Sequence, residues 1–241
     1  MTLKLRYAAV SDTGLIRSAN QDSVHAGPRL LAVADGMGGM AAGDLASRIV
    51  IESVAPLDRE IPDDGLIDAM REALATANGR IREAVAEDPS RDGMGTTLTA
   101  VLFTGTALAL GHVGDSRAYL LREGQLQQMT RDDTFVQMLV DEGVITPEQA
   151  SHHPRRAVVT QALQGGEANP AYTFMRPTSG DRWLLCSDGL SNVVSSETIA
   201  ETMSGYPDPL ECARRLVDLA LRAGGPDNIT VVVADVAEEG A

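Results

Sequence analysis

Four aspartates in tight turns, each at the edge of an apolar run, constrain this chain more than any other feature. The turns read Asp35-Gly36-Met37-Gly38-Gly39, Gly114-Asp115-Ser116-Arg117, Ser187-Asp188-Gly189 and Pro226-Asp227-Asn228. Because a strand carries its terminal side chain to a fixed place on a rigid scaffold, we expect the four acids to meet at one site. Carboxylates gathered in this way repel one another unless a cation neutralises them. Oxygen ligands without neighbouring His or Cys favour a hard ion, Mg²⁺ or Mn²⁺, over zinc.

Each turn taken alone also has an ordinary structural explanation. Asp-Gly is a common signal for a β-hairpin turn, and Asp188 could cap a short helix that follows it. Gly38 and Gly39 could simply free the chain before a helix. The order of an apolar run, then Asp, then Gly or Asn recurs, however, and surface turns rarely border a buried strand every time. The recurrence therefore favours a shared metal site, which is typical of a metal-dependent hydrolase.

Seven short stretches follow one another along the chain in a recognisable order. They are Arg17-Ser18-Ala19-Asn20-Gln21-Asp22-Ser23, Val33-Ala34-Asp35-Gly36-Met37-Gly38-Gly39, Gly95-Thr96-Thr97, Gly111-His112-Val113-Gly114-Asp115-Ser116-Arg117, His153-Pro154, Ser187-Asp188-Gly189-Leu190 and Gly225-Pro226-Asp227-Asn228-Ile229-Thr230. Together they resemble the protein phosphatase 2C family of metal-dependent Ser/Thr protein phosphatases, in its bacterial branch. One stretch alone is weak evidence, but seven in the family's order, from about residue 6 to residue 235, are specific.

The pattern of elements predicts an α+β fold with antiparallel sheet, because helices come as an adjacent pair and strands come in hairpin runs. The resemblance implies a four-layer αββα sandwich, in which two stacked antiparallel sheets are flanked by helix pairs. It also implies a mobile segment at about 143–166 beside the metal site, which we call the flap segment. Because no Ser- or Pro-rich linker divides the sequence, we expect residues 1–241 to form a single catalytic domain.

Apolar periodicity and turn residues place the individual elements. Strands are predicted at 3–10, 29–34, 96–103, 108–113, 118–122, 126–129, 181–186 and 229–236. Helices are predicted at 41–54, 65–86, 134–142 and 209–222, with a further helix start at Thr146-Pro147-Glu148-Gln149.

Composition excludes several other classes of function. The 34 acidic residues against 20 basic ones give a net charge of −14, which argues against nucleic acid and anionic membranes as partners. Lys4 is the single lysine, so a Gly-Lys-Ser/Thr phosphate loop is absent. Cys186 and Cys212 form no metal-binding spacing, and no signal peptide or run of about 18 apolar residues occurs. We therefore expect a cytoplasmic location, which leaves open that the chain is the cytoplasmic part of a membrane-anchored protein.

The resemblance implies two divalent cations, Mn²⁺ or Mg²⁺, about 4 Å apart, with a bridging water that attacks phosphorus. Asp35 would bridge both ions, and the carbonyl oxygen of Gly36 would complete the second. Asp188 and Asp227 would hold the first ion. Asp115 would share a weak third ion with Asp188. No organic cofactor is expected.

Two further residues receive catalytic roles from the same resemblance. Arg17 would clamp the phosphate, because a guanidinium offers two parallel donors to two phosphate oxygens and keeps its charge. Asp22 would orient the attacking water from behind the metal ligands. Taken alone, Arg17 could equally be an ordinary arginine of a surface loop.

The sequence departs from the family's pattern at three positions. Gln21 stands where many members have Glu, so a negative charge near the second ion is missing, although we expect activity to survive. Met40 stands where relatives often place a His near the leaving group, so we expect a water held at the metal to supply that proton. Ala157 cannot supply the hydroxyl that some relatives direct toward a third ion.

These features lead to one main hypothesis and two alternatives. The main hypothesis is metal-dependent hydrolysis of phosphoserine and phosphothreonine in proteins, opposing Ser/Thr kinases in bacterial signal transduction. The expected partners are phosphorylated proteins, including such kinases, and the chain is expected to be a monomer without nucleic-acid or membrane contacts. One alternative is a sporulation-type phosphatase acting on a partner-switch protein. The other is a catalytically inactive module that binds phosphoproteins.

Overall fold

Two stacked antiparallel sheets form the centre of the protein, in a computed structural model that describes residues 3–38 and 42–238. The strands are β1 (Leu3–Asp12), β2 (Asp22–Ala26), β3 (Leu30–Met37), β4 (Gly95–Thr96), β5 (Leu98–Phe103), β6 (Leu108–Val113), β7 (Arg117–Arg122), β8 (Gln125–Gln128), β9 (Ala171–Met175), β10 (Arg182–Cys186) and β11 (Ile229–Glu238). One sheet has the order β1-β11-β10-β7-β8. The other has the order β2-β3-β5-β6-β9, with β4 paired to β3.

The described residues form seven α-helices, of which two pairs cover the outer faces of the sheets. They are α1 (Ala42–Val54), α2 (Leu66–Glu87), α3 (Phe135–Asp141), α4 (Pro147–Ser151), α5 (Asp188–Ser191), α6 (Ser196–Gly205) and α7 (Pro209–Arg222). The pair α1–α2 packs on β3, β5 and β6, while α6 and α7 pack on β10 and β11. The predicted four-layer αββα sandwich is therefore confirmed.

The innermost layer of the core lies between the two sheets. Leu31 and Val33 of β3 pack there with Trp183 of β10 and Val232 of β11, and all four are buried. Strands buried on both faces read as continuous apolar runs rather than alternating ones. The run of valines in β11 and the run Trp183-Leu184-Leu185-Cys186 in β10 have this character, so their ends are fixed by packing on both sides.

The predicted elements agree with the structure except where strands are short or partly exposed. The strand predicted at 96–103 is interrupted at Thr97, because Gly95–Thr96 turns aside to pair with Met37 and Gly36 of β3. Strands β2 and β9 and helices α5 and α6 were not predicted. No residue of β2 or β9 is fully buried, so neither strand has a strong apolar signal. Residue 41, the expected first residue of α1, lies outside the described residues.

Two β-bridges tie the C-terminal part of the flap segment to the body. Thr134, just before α3, forms a β-bridge with Val159, and Thr96 forms one with Leu163. The predicted helix start is confirmed, with Thr146 as the N-cap of α4: its hydroxyl accepts a hydrogen bond from the Gln149 backbone N–H, and the Gln149 side chain accepts one from the Thr146 N–H. Among the described residues, no helix combines the length and apolarity needed to cross a bilayer.

A mostly buried ion pair joins β10 and β11 to the helical layer and gives a test of the packing. Arg182 donates to both oxygens of Asp235 and to the backbone carbonyls of Met203, Tyr206 and Pro207. Removing one partner of a buried pair leaves an uncompensated charge, so Arg182→Ala should lower the free energy of unfolding by about 3–5 kcal/mol. Chemical denaturation measures this change.

The matched control for that variant is an exposed pair at the end of α7. Arg222 bonds to Asp218 four residues earlier, and its side chain is 69% exposed. Arg222→Ala should therefore change the free energy of unfolding by less than about 1 kcal/mol. Equal effects of Arg182→Ala and Arg222→Ala would contradict a special role for the Arg182 network.

Candidate metal and phosphate site

Asp35 lies near the end of β3, where the neighbouring chain holds its backbone on both sides. Its N–H donates to the Thr97 hydroxyl at 3.0 Å. Its carbonyl oxygen accepts from the Thr97 N–H at 2.9 Å and from the Thr96 hydroxyl at 2.9 Å. These bonds fix the backbone of Asp35 and hence the direction of its side chain, because the break between β4 and β5 supplies two donors and one acceptor beside it. All three bonds involve Thr96 or Thr97. The sequence marks Gly95-Thr96-Thr97 as a motif but does not show that its role is to hold Asp35.

Asp22 lies directly opposite Asp35, because β2 and β3 pair in a register that matches these two residues. Its Oδ2 accepts a hydrogen bond from the Ser187 hydroxyl at 2.8 Å. Its Oδ1 is buried and has no hydrogen-bond partner among the described residues. A buried carboxylate oxygen without a partner is costly. Asp22 Oδ1 can therefore accept a hydrogen bond from a group that binds in the site.

Asp188 and Asp227 lie at the same edge of the β1-β11-β10-β7-β8 sheet, because β10 and β11 are antiparallel neighbours. Asp188 follows β10 and is the first residue of α5, where a carboxylate is favourable at a helix N-terminus; Ser187, not Asp188, is the N-cap. Asn192 donates to Asp188 Oδ2 at 2.9 Å. Asp227 precedes β11, and its Oδ2 accepts from Arg17 Nη2 at 2.6 Å.

Asn228 joins the loop that carries Arg17 to the loop that carries Asp227. Its Nδ2 donates to the carbonyls of Thr13 and Ala19, each at 2.9 Å, and its Oδ1 accepts from the Gln21 N–H at 2.8 Å. One amide side chain thus holds residues 13–21 in place beside β11. Sequence reasoning assigned Asn228 no role beyond marking the turn, because an Asp-Asn pair before a strand does not show which distant carbonyls it will meet.

Asp115 is held by a turn that depends on glycine. Gly114 has φ of +104°, and a Cβ there would lie 2.5 Å from the Thr97 side chain. The N–H of Gly114 donates to Asp133 Oδ2 at 3.0 Å, and its carbonyl accepts from the Asp133 N–H at 2.7 Å. Asp115 is itself buried. Asp133 is a second positioning residue that the sequence did not reveal.

Six of the predicted site residues line one cavity of about 480 Å³: Arg17, Asp35, Gly36, Asp115, Asp188 and Asp227. The seventh, Asp22, is not part of the lining but pairs with Asp35 across β2 and β3. Gln21 and Ala157, two of the departures from the family pattern, also line the cavity. Met40, the third departure, lies outside the described residues, as does Gly39 of the first motif.

A second cavity of about 310 Å³ adjoins the first and shares Asp115 and Asp188 with it. Its wall includes a two-point ion pair, in which Arg117 Nε and Nη2 donate to Asp132 at 2.9 Å and 2.6 Å. Burial is the largest influence on the Arg117 guanidinium and lowers its pKa, but the bonds and charge of Asp132 outweigh it, so the pKa is raised overall. The sequence did not single out Asp132.

Burial and mutual repulsion dominate the electrostatics of the site. Burial raises the pKa of Asp188 to about 6 and that of Asp115 to about 8, and neighbouring carboxylates add to both shifts. Burial likewise raises the pKa of Asp22 to about 6. The pKa of Asp35 is raised well above its usual range by burial first and then by repulsion from Asp22. Asp115 is buried and the other three acids are partly buried, so the site favours a cation that would compensate their negative charge.

The donor set fits hard divalent cations. It consists of carboxylate oxygens and one backbone carbonyl, which are the ligands that Mg²⁺ and Mn²⁺ prefer. A cation would restore the ionised form of these acids, and the unpartnered Oδ1 of Asp22 could bond to water that accompanies it. In the part of the chain that the structure describes, no three acidic, His or Cys side chains already enclose a single ion position.

Family comparison agrees with this geometry. The chain belongs to the protein phosphatase 2C family, whose model (Protein phosphatase 2C) matches residues 17–219. Serine/threonine protein phosphatase PstP of Mycobacterium tuberculosis is 56% identical over 238 residues, which are 99% of this chain and 46% of that protein. The chain thus spans about half the length of this relative. Protein phosphatase PhpP of Streptococcus pneumoniae is 34% identical over 98% of this chain and 100% of its own length.

Solved structures extend the similarity to three dimensions. The crystal structure of the M. tuberculosis serine/threonine phosphatase PstP/Ppp superposes with a TM-score of 0.95 at 56% identity, over 98% of this chain and 100% of that one. The catalytic domain of PstP in complex with two manganese ions gives a TM-score of 0.93 at 55% identity, with the same coverage. The α+β fold predicted from sequence is therefore that of the family.

The raised pKa values predict how the metal-free protein responds to pH. An acid whose pKa is higher in the folded state than its usual 3.8 makes the folded state bind more protons, so stability falls as pH rises toward the folded value. With a pKa of about 8, Asp115 should destabilise the chelated protein progressively up to pH 8. Asp115→Asn should then stabilise the chelated protein at pH 8 by about 2 kcal/mol and have little effect at pH 4.

Thermal unfolding with a chelator at several pH values measures this difference. Asp64→Asn is the control, because Asp64 is exposed and does not line either cavity. An Asp115→Asn protein that is less stable than the wild type at pH 8 without metal would contradict the repulsion described above.

Proposed function

We propose that the chain hydrolyses phosphoserine and phosphothreonine in proteins with the help of two divalent cations. The observation that carries this proposal is the single cavity in which a partly buried acidic cluster lies beside a half-exposed arginine, in a chain of the protein phosphatase 2C family. Hydrolysis of phosphate esters needs positive charge on the phosphate oxygens and a correctly placed water. The acidic cluster can hold the cations, and Arg17 can hold the phosphate.

The proposed metal ligands are the ones expected from the sequence. Asp35 would contact both ions, the Gly36 carbonyl would complete the second, and Asp188 and Asp227 would hold the first. Asp115, with Asp188, would hold a weaker third ion. Bound Mn²⁺ or Mg²⁺ supplies Lewis acidity and lowers the pKa of water. The manganese complex of the PstP catalytic domain supports the choice of metal.

Arg17 is suited to hold and orient the phosphate. Its side chain is 52% exposed, its Nη2 bonds to Asp227, and it lines the cavity. The hydrogen bond to Asp227 raises the pKa of the guanidinium, so its charge persists at every relevant pH. The bond also fixes the arginine beside one of the proposed metal ligands, which places phosphate and cation next to each other.

Asp22 is suited to orient the attacking water. The Ser187 hydroxyl holds its Oδ2, so its unpartnered Oδ1 has a defined direction. A carboxylate oxygen in this position can accept a proton or a hydrogen bond from water beside Asp35.

The biological setting belongs to the same proposal. We place the protein opposite Ser/Thr kinases in bacterial signalling, with phosphorylated proteins, including such kinases, as substrates. The two cysteines are both free and buried, which fits a reducing cytoplasm. Residues 1–241 would act as one monomeric catalytic domain. A panel of phosphopeptides, tested with and without Mn²⁺, separates this function from a dedicated partner-switch phosphatase and from an inactive binding module.

Metal dependence is the first test of the function. Hydrolysis of p-nitrophenyl phosphate should require Mn²⁺ or Mg²⁺ and stop when a chelator is added. Asp188→Asn should lower kcat by about a hundredfold or more, because an ion loses a charged ligand. The fold should survive, since asparagine keeps an oxygen that can accept from Asn192. Asp64→Asn is the surface control, and full activity in a chelated sample would refute the mechanism.

Phosphate binding by Arg17 is a separate test. Arg17→Ala should raise KM about tenfold or more while changing kcat less, because a charged hydrogen-bond donor to the substrate is lost. Arg17→Lys should recover part of the affinity, since lysine keeps the charge but lacks the planar pair of donors. Steady-state kinetics with p-nitrophenyl phosphate measures both variants. An unchanged KM in Arg17→Ala would show that phosphate is held elsewhere.

A further inference from the structure

Asn78, in the middle of α2, holds the C-terminal end of the flap segment with both ends of its amide. Its Oδ1 accepts a hydrogen bond from the Gly165 N–H at 2.7 Å, and its Nδ2 donates to the Gly166 carbonyl at 2.6 Å. Asparagine is unfavourable inside a helix because its side chain competes for backbone hydrogen bonds. Two bonds to a segment 87 residues away give it a tertiary role there. We call residues 163–166 the flap root.

The flap root is held on its other side by the strand next to Asp35. The N–H of Leu163 donates to the Thr96 carbonyl at 2.9 Å, and the Thr96 N–H donates to the Leu163 carbonyl at 3.0 Å. Thr96 in turn pairs with Gly36 in β3. Hydrogen bonds therefore hold the flap root between helix α2 and strand β4.

The backbone of the flap root presses closely against α2. Gly165 has φ of +81°, and a Cβ at this residue would lie 2.8 Å from the Arg82 Cα and 2.9 Å from its backbone nitrogen. A side chain at Gly165 would therefore force the root away from the helix. Gly166 differs, because a Cβ there would meet no atom within 4 Å. The two neighbouring glycines thus provide a disruptive and a harmless position.

Residues just before the flap root form part of the cavity wall. Ala157 and Val159 line the cavity that also contains Arg17 and Asp35. Just after Val159, the Thr160 N–H donates to the Asp133 carbonyl at 2.7 Å. Only residues 160–162 separate the wall from the flap root, so the position of the wall depends on this bond and on the flap root.

We propose that Asn78 is a positioning residue for recognition of the phosphoprotein, acting from the outer helical layer through the flap root. This role rests on the proposed phosphatase function. A substrate protein extends beyond its phosphate and must lie against the wall formed by Ala157 and Val159. A small aryl phosphate engages mainly Arg17 and the cations. Asn78 therefore contributes to peptide binding without touching the peptide.

Paired variants test this role by kinetics on two substrates with Mn²⁺. Asn78→Ala and Gly165→Ala should each raise KM for a phosphothreonine peptide about tenfold, because displacing a binding wall on the order of 1 Å weakens contacts made only by extended substrates. KM and kcat for p-nitrophenyl phosphate should change less than about twofold. Asn78→Asp, which keeps the acceptor for Gly165 but loses the donor to Gly166, should lie between wild type and Asn78→Ala.

Thr76→Ala and Gly166→Ala are the matched controls. Thr76 is an exposed residue of α2 near Asn78, and Gly166 offers open space next to Gly165. Both controls should behave as wild type on both substrates. The double variant Asn78→Ala with Gly165→Ala should be little worse than either single variant, because both release the same contact. An unchanged peptide KM in both single variants, or an equal loss of kcat on both substrates, would overturn the role.

Amide hydrogen exchange supplies a readout that does not depend on activity. In Asn78→Ala, the amides of Gly165 and Leu163 should exchange faster, while those of the central strands keep their protection. Faster exchange confined to Gly165, with Leu163 unchanged, would mean that Thr96 alone fixes the root and would overturn the proposal. Wild-type protein inert toward both substrates would instead refute the phosphatase function, and the recognition role with it, while exchange would still show whether Asn78 holds the root.

Discussion

Repulsion among buried carboxylates is the constraint on which this structure depends. Asp22, Asp35, Asp115 and Asp188 are held close together and largely away from water, where like charges interact strongly. Such a cluster survives folding only if the surrounding chain is rigid enough to keep it in place. The two sheets provide that rigidity, because their central strands are buried on both faces. The apolar core of the sandwich thus stabilises the fold against the repulsion among these carboxylates, which a bound cation would relieve.

Polar side chains next to the site form hydrogen bonds that hold individual site residues in fixed positions relative to the sheets. Thr96 and Thr97 fix the backbone of Asp35, and Asn228 fixes the loop that carries Arg17. Asp133 does the same for the turn before Asp115. None of these residues is itself a candidate ligand of metal or phosphate. Their hydrogen bonds nevertheless orient the candidate metal and phosphate ligands, as supporting residues do around catalytic and metal sites.

The sequence was most informative where a residue's role depends on its own turn and the strand before it. Asp35, Asp188 and Asp227 could be predicted to converge because each adjoins an apolar run that had to be a buried strand. Asn78 and Asp133 could not be identified in this way, because their roles depend on backbone groups of distant segments. Strands β2 and β9 escaped prediction for a related reason: their incomplete burial leaves no strong apolar pattern.

The position of β11 has a consequence for the order of synthesis. This strand lies between β1 and β10, and it is the last strand of the described chain to leave the ribosome. Asp227 and Asn228, which complete the cavity and fix the Arg17 loop, arrive with it. A nascent chain that ends before β11 therefore lacks the strand that joins β1 to β10, and its Arg17 loop lacks the hydrogen bonds of Asn228. The proposed phosphate site can therefore form only after β11 has been translated.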